Sequence, residues 1–249
     1  MSVSDLLLKT FASARRQERH RLRAGFREIS RKFHDHTMIQ EKRYISNLAL
    51  VWTFRRTPGC VVECGVWRGG MIAGIADVLG PDRHYFLFDS FEGLPPAREI
   101  DGKQAIAWQN DADLQKSGKN CTASEEEAGA AMKRSRATSY SLVKGWFNVT
   151  VPSFNFPSPI AVLRLDGDWY DSTRVCLENL FPRVADGGVV IIDDYYAWNG
   201  CARAVNEFIS RVDSPDEVIR LRQYHDQVAY LVKGEARNHS KIHIAGLSE

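Results

Sequence analysis

The segment Cys60-Val61-Val62-Glu63-Cys64-Gly65-Val66-Trp67-Arg68-Gly69-Gly70 decides the fold. Entered from the breaker Thr57-Pro58-Gly59, residues 60–64 read as a short, nearly continuous apolar strand. A glycine turn follows, and residues 69–79 then read as a helix stopped by Gly80-Pro81. The turn spacing is Gly-x-x-x-Gly-Gly and not GxGxxG. Gly65 lets a ligand approach the backbone, and Gly69-Gly70 open a helix whose first N–H groups suit an anion such as a carboxylate.

Working outward, the same alternation recurs. Residues 84–88 form a second strand ending at Asp89, 139–143 a third, 160–165 a fourth ending at Asp166, and 189–192 a fifth ending at Asp193-Asp194. Helices are expected over 172–181 and 202–212, and another begins at the cap Ser124 with Glu125-Glu126-Glu127 in its first turn. Strands at 218–221 and 228–232 close the chain as an antiparallel pair, and residues 91–123, rich in Pro, Gly, Asp and Lys, read as a long loop. Strands apolar on both faces and separated by helices predict a doubly wound, seven-stranded Rossmann-like α/β sheet. Residues 1–57 read as a helical N-terminal arm and 58–249 as one α/β domain.

Composition agrees. The chain has 249 residues, 44% hydrophobic and 26% charged, with a net charge of +2, which excludes a disordered chain and gives no global field for nucleic acid. The charge is uneven: residues 1–43 carry 11 Lys/Arg against 5 Asp/Glu, so the arm is basic and the body acidic. Five cysteines without a CxxC pair read as reduced thiols, and no apolar run approaches the roughly 18 residues of a membrane span. The patch Leu6-Leu7-Leu8 is too short for a signal-peptide core. A cytoplasmic protein is expected. The apolar face of residues 39–54 packs on its own domain or on a second subunit, and a homo-oligomer is expected.

In doubly wound sheets ligands bind beyond the carboxyl ends of the strands. Asp89, 24 residues after Gly65, is placed to accept both ribose hydroxyls of an adenosine-type ligand, and it also suits a helix cap. Leu165-Asp166-Gly167-Asp168 and Ile192-Asp193-Asp194 end neighbouring strands, so their carboxylates converge. Like charges so close call for protons or a cation, and oxygen-only donors select a hard ion such as Mg²⁺. Trp146, after the third strand, suits stacking on a flat base or a place in the core. His225, after the sixth strand, is a candidate base if it faces the same crevice.

Together, Val62-Glu63-Cys64-Gly65-Val66-Trp67-Arg68-Gly69-Gly70, Phe88-Asp89-Ser90-Phe91-Glu92-Gly93-Leu94-Pro95, Lys144-Gly145-Trp146-Phe147, Arg164-Leu165-Asp166-Gly167-Asp168 and Ile192-Asp193-Asp194-Tyr195 resemble the macrocin O-methyltransferase family over roughly residues 37–233. The resemblance implies a class I methyltransferase fold that uses S-adenosyl-L-methionine and Mg²⁺ to methylate a sugar hydroxyl of a glycoside or sugar acceptor. It implies that Glu63, Gly65 and Trp67 line the methionine end, with Val66 in the same cofactor-binding turn. Asp89 and Ser90 then hold the ribose, Trp146 the adenine region, and Met38 belongs to a segment folded over the cofactor as a lid. Asp166, Asp193 and Asp194 are implied as metal ligands, with Asp166 as first choice of catalytic base and His225 as second. The stretch 98–137 departs from the family pattern and leaves the acceptor open. A catechol-like phenolic acceptor is the nearest alternative, although Trp169 stands where catechol methyltransferases carry a lysine. A metal-dependent glycosyltransferase using Asp166-Gly167-Asp168 as its DxD signature is the alternative from another class.

Overall fold

The computed structural model describes residues 3–112, 119–212 and 218–234, with side chains from residue 17 onward. The side chains of the Leu6-Leu7-Leu8 patch and the end of the expected domain, 235–249, lie outside this set. The strands are β1 (Cys60–Cys64), β2 (His84–Asp89), β3 (Ser139–Lys144), β4 (Ile160–Leu165), β5 (Val184–Ile192), β6 (Arg222–Tyr224) and β7 (Val228–Val232). They form one sheet in the order β3-β2-β1-β4-β5-β7-β6. The first five are parallel, β7 runs antiparallel to β5, and β6 antiparallel to β7. This is the predicted doubly wound sheet with its closing hairpin.

Alternate strand residues point to opposite faces, and the two faces have separate cores. Val61, Val162, Val189 and Ile191 pack with helices α1 (Val3–Lys32), α2 (Glu41–Thr53) and α3 (Gly70–Leu79) through Phe33, Tyr44, Leu48 and Ile72. Val62, Leu163, Val190 and Ile192 pack with the helices of the other face through Leu177, Leu180, Val205 and Phe208. Tyr44, Leu48, Leu50 and Val51 of α2 are fully buried. The apolar face that suggested a subunit contact is therefore covered by this chain's own sheet, and α2 is part of the core rather than of a detached arm.

Among the described residues, the remaining α-helices are α4 (Lys103–Asn110), α5 (Glu125–Arg134), α6 (Phe147–Ser153), α7 (Tyr170–Leu180) and α8 (Asn199–Val212). Ser124 caps α5 as expected: its hydroxyl accepts the Glu127 N–H at 3.2 Å, and the Glu127 carboxylate accepts the Ser124 N–H at 2.9 Å. Three expectations are corrected. Residues 91–123 are not all loop, because α4 forms within them. Its Trp108 meets Trp169 and Trp198 edge-on at 6.2 and 5.8 Å, so tertiary contacts stabilise a helix too short and polar to announce itself. β5 begins at Val184, since Asp186-Gly187-Gly188 continues the strand instead of turning. The sixth strand lies at Arg222–Tyr224 and not at 218–221. Arg222 and Tyr224 pair with Tyr230 and Val228 of β7, whereas Ile219 is buried against the core without joining the ladder.

Candidate active site

A cleft of about 1420 Å³ opens at the carboxyl ends of the parallel strands. Sites for a single drug-sized ligand run to about 1,000 Å³, so the cleft has room for two molecules side by side. Its lining includes Asp89 at the end of β2 and Gly65, Asp166 and Asp193, the residues just past β1, β4 and β5.

The glycine turn is shaped by Asp89. One carboxylate oxygen, Oδ2, accepts the backbone N–H groups of Val66 and Trp67 at 2.8 and 2.9 Å, and Oδ1 accepts that of Phe91 at 2.8 Å. Burial pushes its carboxyl above the ordinary value, against the pull of these amides. Gly65 has φ +88°, and a Cβ there would lie 1.8 Å from the carbonyl oxygen of Asp166, so only glycine fits where β1 and β4 close together. Trp67 holds φ 47°, a left-handed conformation rare for an aromatic residue. At the start of α3 the His36 carbonyl lies close to Gly70, where a Cβ would come within 2.4 Å of it.

Beyond β4 and β5 the acids gather. Ligand atoms of Asp166, Asp193 and Asp194 all lie within 4.8 Å of one another. Asp168, at φ 57°, donates its backbone N–H to Asp194 Oδ2 at 3.0 Å and accepts the Trp198 indole N–H on Oδ1 at 2.7 Å. Burial, with Asp166 next, pushes the Asp168 carboxyl up to about 8. Burial and the carboxylates of Asp168, Asp166 and Asp193 likewise raise that of Asp194.

Two arginines answer these charges. Arg164, wholly buried on β4, contacts Glu63 at 2.5 Å, Asp166 at 2.7 Å and Asp193 at 2.6 Å. Burial opposes its charge, but the three carboxylates more than offset it and hold the guanidinium protonated. Arg43 of α2 donates to the backbone carbonyls of Asp193 and Gln227 at 2.9 and 3.2 Å and stands 3.7 Å from the Asp193 carboxylate. Five carboxylates, counting Glu63, thus face two guanidiniums, and Asp193 Oδ1 is buried outside hydrogen-bonding geometry. An acid surplus built only of oxygen donors fits a hard divalent cation.

The predicted residues divide as follows. Met38, Gly65, Trp67, Asp89, Ser90, Trp146, Asp166 and Asp193 line the cleft. Asp194 is buried within the acid cluster. Glu63 and Val66 are buried and do not reach the cleft surface: Glu63 meets Arg164, and Val66 contributes its N–H to Asp89. Ser90 spends its hydroxyl on the Gly93 carbonyl at 2.9 Å. His225 is exposed against the Tyr224 ring at 4.7 Å, and its neighbours Asp226 and Gln227 line the cleft in its place. Both neighbours have positive φ (54° and 60°), a kink that turns the chain after His225. Sequence reasoning missed Arg43, whose only signal was membership of the basic arm, and Arg164, whose signal was a charge inside an apolar strand. Cys121 also lines the cleft; burial and the nearby aspartates push its thiol up to about 12, so it stays protonated.

Comparison with known proteins follows this geometry. The macrocin-O-methyltransferase (TylF) family matches residues 3–224. Demethyldecarbamoylnovobiocin O-methyltransferase of Streptomyces niveus is 35% identical over 199 residues, which cover 75% of this chain and 72% of that protein. The 8-demethyl-8-(2,3-dimethoxy-alpha-L-rhamnosyl)-tetracenomycin-C 4'-O-methyltransferase of Streptomyces olivaceus is 35% identical over 196 residues, covering 74% and 71%. The structure of the O-methyltransferase NovP superposes with a TM-score of 0.64 at 33% identity, covering 80% of this chain and 82% of that one.

Proposed function

The chain belongs to the macrocin O-methyltransferase family and is an O-methyltransferase, and from that premise we propose that it methylates a sugar hydroxyl, one of a vicinal pair, on a glycosylated natural product. S-adenosyl-L-methionine is the methyl donor in this reading, and a divalent cation, Mg²⁺ first, is held by Asp166, Asp193 and Asp194. The observation that carries it is the meeting of these three acids, two of which, Asp166 and Asp193, line the same cleft as Gly65 and Asp89. The acceptor class is supported by the relatives named for demethyldecarbamoylnovobiocin and for a rhamnosyl tetracenomycin C.

Roles follow from placement. Asp89 and the glycine turn bind the donor, Met38 and Trp146 flank it, and the cleft above β4 and β5 takes the acceptor. The cation supplies Lewis acidity that lowers the pKa of a coordinated hydroxyl. Asp166 is the base: it is the cluster acid nearest Gly65 along the cleft floor, and 26% of its side chain is exposed. Burial raises its carboxyl above the ordinary value and Arg164 restrains that rise. Arg164 occupies Oδ2, and the proton from the acceptor hydroxyl passes to the Asp166 carboxylate. S-adenosyl-L-methionine would supply the methyl group: the acceptor oxygen would bond to the methyl carbon as the S–C bond breaks, with that electron pair passing to sulfur and S-adenosylhomocysteine leaving.

Calorimetric titration with S-adenosyl-L-methionine is expected to show one site, weakened at least about tenfold by Asp89→Ala. Turnover on a panel of glycosides and catechols, read as S-adenosylhomocysteine released, is expected to stop with EDTA and in Asp193→Asn. Full activity of Asp193→Asn in EDTA would remove the cation from the mechanism, and turnover confined to catechols would move the acceptor to the phenolic class.

A further inference from the structure

We propose that Arg164 is a positioning residue for the acid cluster: one buried guanidinium grips an oxygen of Asp166 and an oxygen of Asp193 and so sets how the two carboxylates present themselves to a cation. The proposal rests on the metal reading above.

Strand register builds this arrangement. Arg164 on β4 is flanked by Glu63 on β1 and Ile191 on β5. Asp166 lies two residues further along β4 and Asp193 two residues beyond Ile191, so both follow on the same side of the sheet. The guanidinium Nη1 donates to Glu63 Oε1 at 2.5 Å and to Asp166 Oδ2 at 2.7 Å. Nη2 makes an ionic contact with Asp193 Oδ1 at 2.6 Å. The Arg164 side chain is 0% exposed, so neither solvent nor ligand shares it.

The planar fork matters because its two nitrogens are held at a fixed spacing and angle, which a lysine ammonium cannot imitate. With no cation bound, Asp166 and Asp193 repel each other at short range in a poorly screened interior. The fork holds them together and leaves each a second oxygen. It thereby meets in advance part of the cost of bringing the carboxylates together. Glu63 belongs to this device. It is 1% exposed, its Oε2 has no hydrogen bond, and it does not line the cleft, so its contact is with Arg164 and not with a ligand.

The test uses Mn²⁺ as the probe, titrated into the full chain and read by the electron paramagnetic resonance of the free ion. Metal-free S-adenosylhomocysteine binding by calorimetry serves as the control for an intact donor site. Arg164→Lys keeps a positive charge and loses the fork. It is expected to weaken Mn²⁺ binding by about tenfold or more while S-adenosylhomocysteine affinity stays within about threefold. The Glu63→Gln/Arg164→Gln pair, which removes one buried charge of each sign, guards against a lysine variant that fails to fold and is expected to show the same selective loss. Mn²⁺ affinity within about threefold of wild type in either folded variant overturns the proposal. Wild-type protein that binds no Mn²⁺, or binds it unchanged after Asp193→Asn, overturns the metal reading and this proposal with it. Equal binding by wild type and Arg164→Lys overturns the proposal alone.

Discussion

Asp89 accepts three backbone N–H groups that belong to two different turns. Its carboxylate therefore does structural work even with the cleft empty, which a reading as ribose ligand or helix cap does not anticipate. Hydrogen bonds to a charged acceptor contribute about 1.5–3 kcal/mol each, and amides freed at a cleft regain some water. Asp89→Ala is thus expected to cost about 2–4 kcal/mol in urea unfolding, besides its loss of donor affinity. Asp89→Asn keeps a carbonyl oxygen for one turn and should recover part of the stability. A stability unchanged by Asp89→Ala would mean that the three amides find water equally good. At this scale residue identity was legible and residue task was not. The aspartates could be named from their strand ends, but no local signal separates a carboxylate facing ligand from one holding a turn.

Helix α2 shows what an element decides. Its Tyr44 hydroxyl donates to the Gly70 carbonyl at 2.7 Å, and its ring lies against Gly74 of α3. Alanine at position 74 would gain about 1 kcal/mol in helix propensity. The added Cβ, however, would lie 2.0 Å from the Tyr44 hydroxyl, in a side chain that is fully buried and cannot swing away. Overpacking of this kind costs about 1–3 kcal/mol, so sterics win and Gly74→Ala is expected to be net destabilising by thermal and chemical denaturation. Tyr44→Phe/Gly74→Ala should recover part of the loss, and a single mutant more stable than wild type would refute the packing argument. The same helix carries Arg43 to Asp193 and Gln227 and Ser46 to Asp226, at 2.6 Å for the serine. The angle of α2 on α3 therefore sets the edge of the cleft. Helix α2 and the helix after the glycine turn were legible because their apolar residues recur at helical spacing. Helix α4 was not, because its Trp108 is held by two tryptophans distant in sequence, Trp169 and Trp198.

For the molecule as a whole, the concentration of buried acids makes stability depend on pH. Burial raises Glu63 to about 7 and Asp168 to about 8. An unfolded carboxyl titrates near 4, so between about 4 and 8 the folded state holds protons that the unfolded state releases. The contribution of these groups is full below that window and declines as pH rises through it. The metal-free protein is thus expected to melt at a lower temperature at pH 8 than at pH 5.5, with a smaller difference in Asp168→Asn. Mg²⁺ should raise the melting temperature more at pH 8, where the acids are ionised, than at pH 5.5. Differential scanning fluorimetry across this range checks both, and a melting temperature that rises toward pH 8 without metal would contradict the assignment of buried acids.

What the sequence determined by itself was the doubly wound sheet, most of its elements and the acids at the strand ends. Strand and helix periods, glycine and proline breaks, a serine cap and acids at strand ends all depend on neighbours within a few residues, and they sufficed for a doubly wound sheet and for acids Asp166, Asp193 and Asp194 at neighbouring strand ends, while the resemblance of whole motifs gave the family. Only the tertiary structure decided which groups meet. Arg164 meets Glu63 across 101 positions of chain, and Arg43 meets Asp193 across 150. The turn after β6 presents Asp226 and Gln227 to the cleft and leaves His225 outside. Those contacts follow from strand register, helix docking and backbone turns of left-handed sign, and a charged side chain takes its partner from whatever these bring within reach.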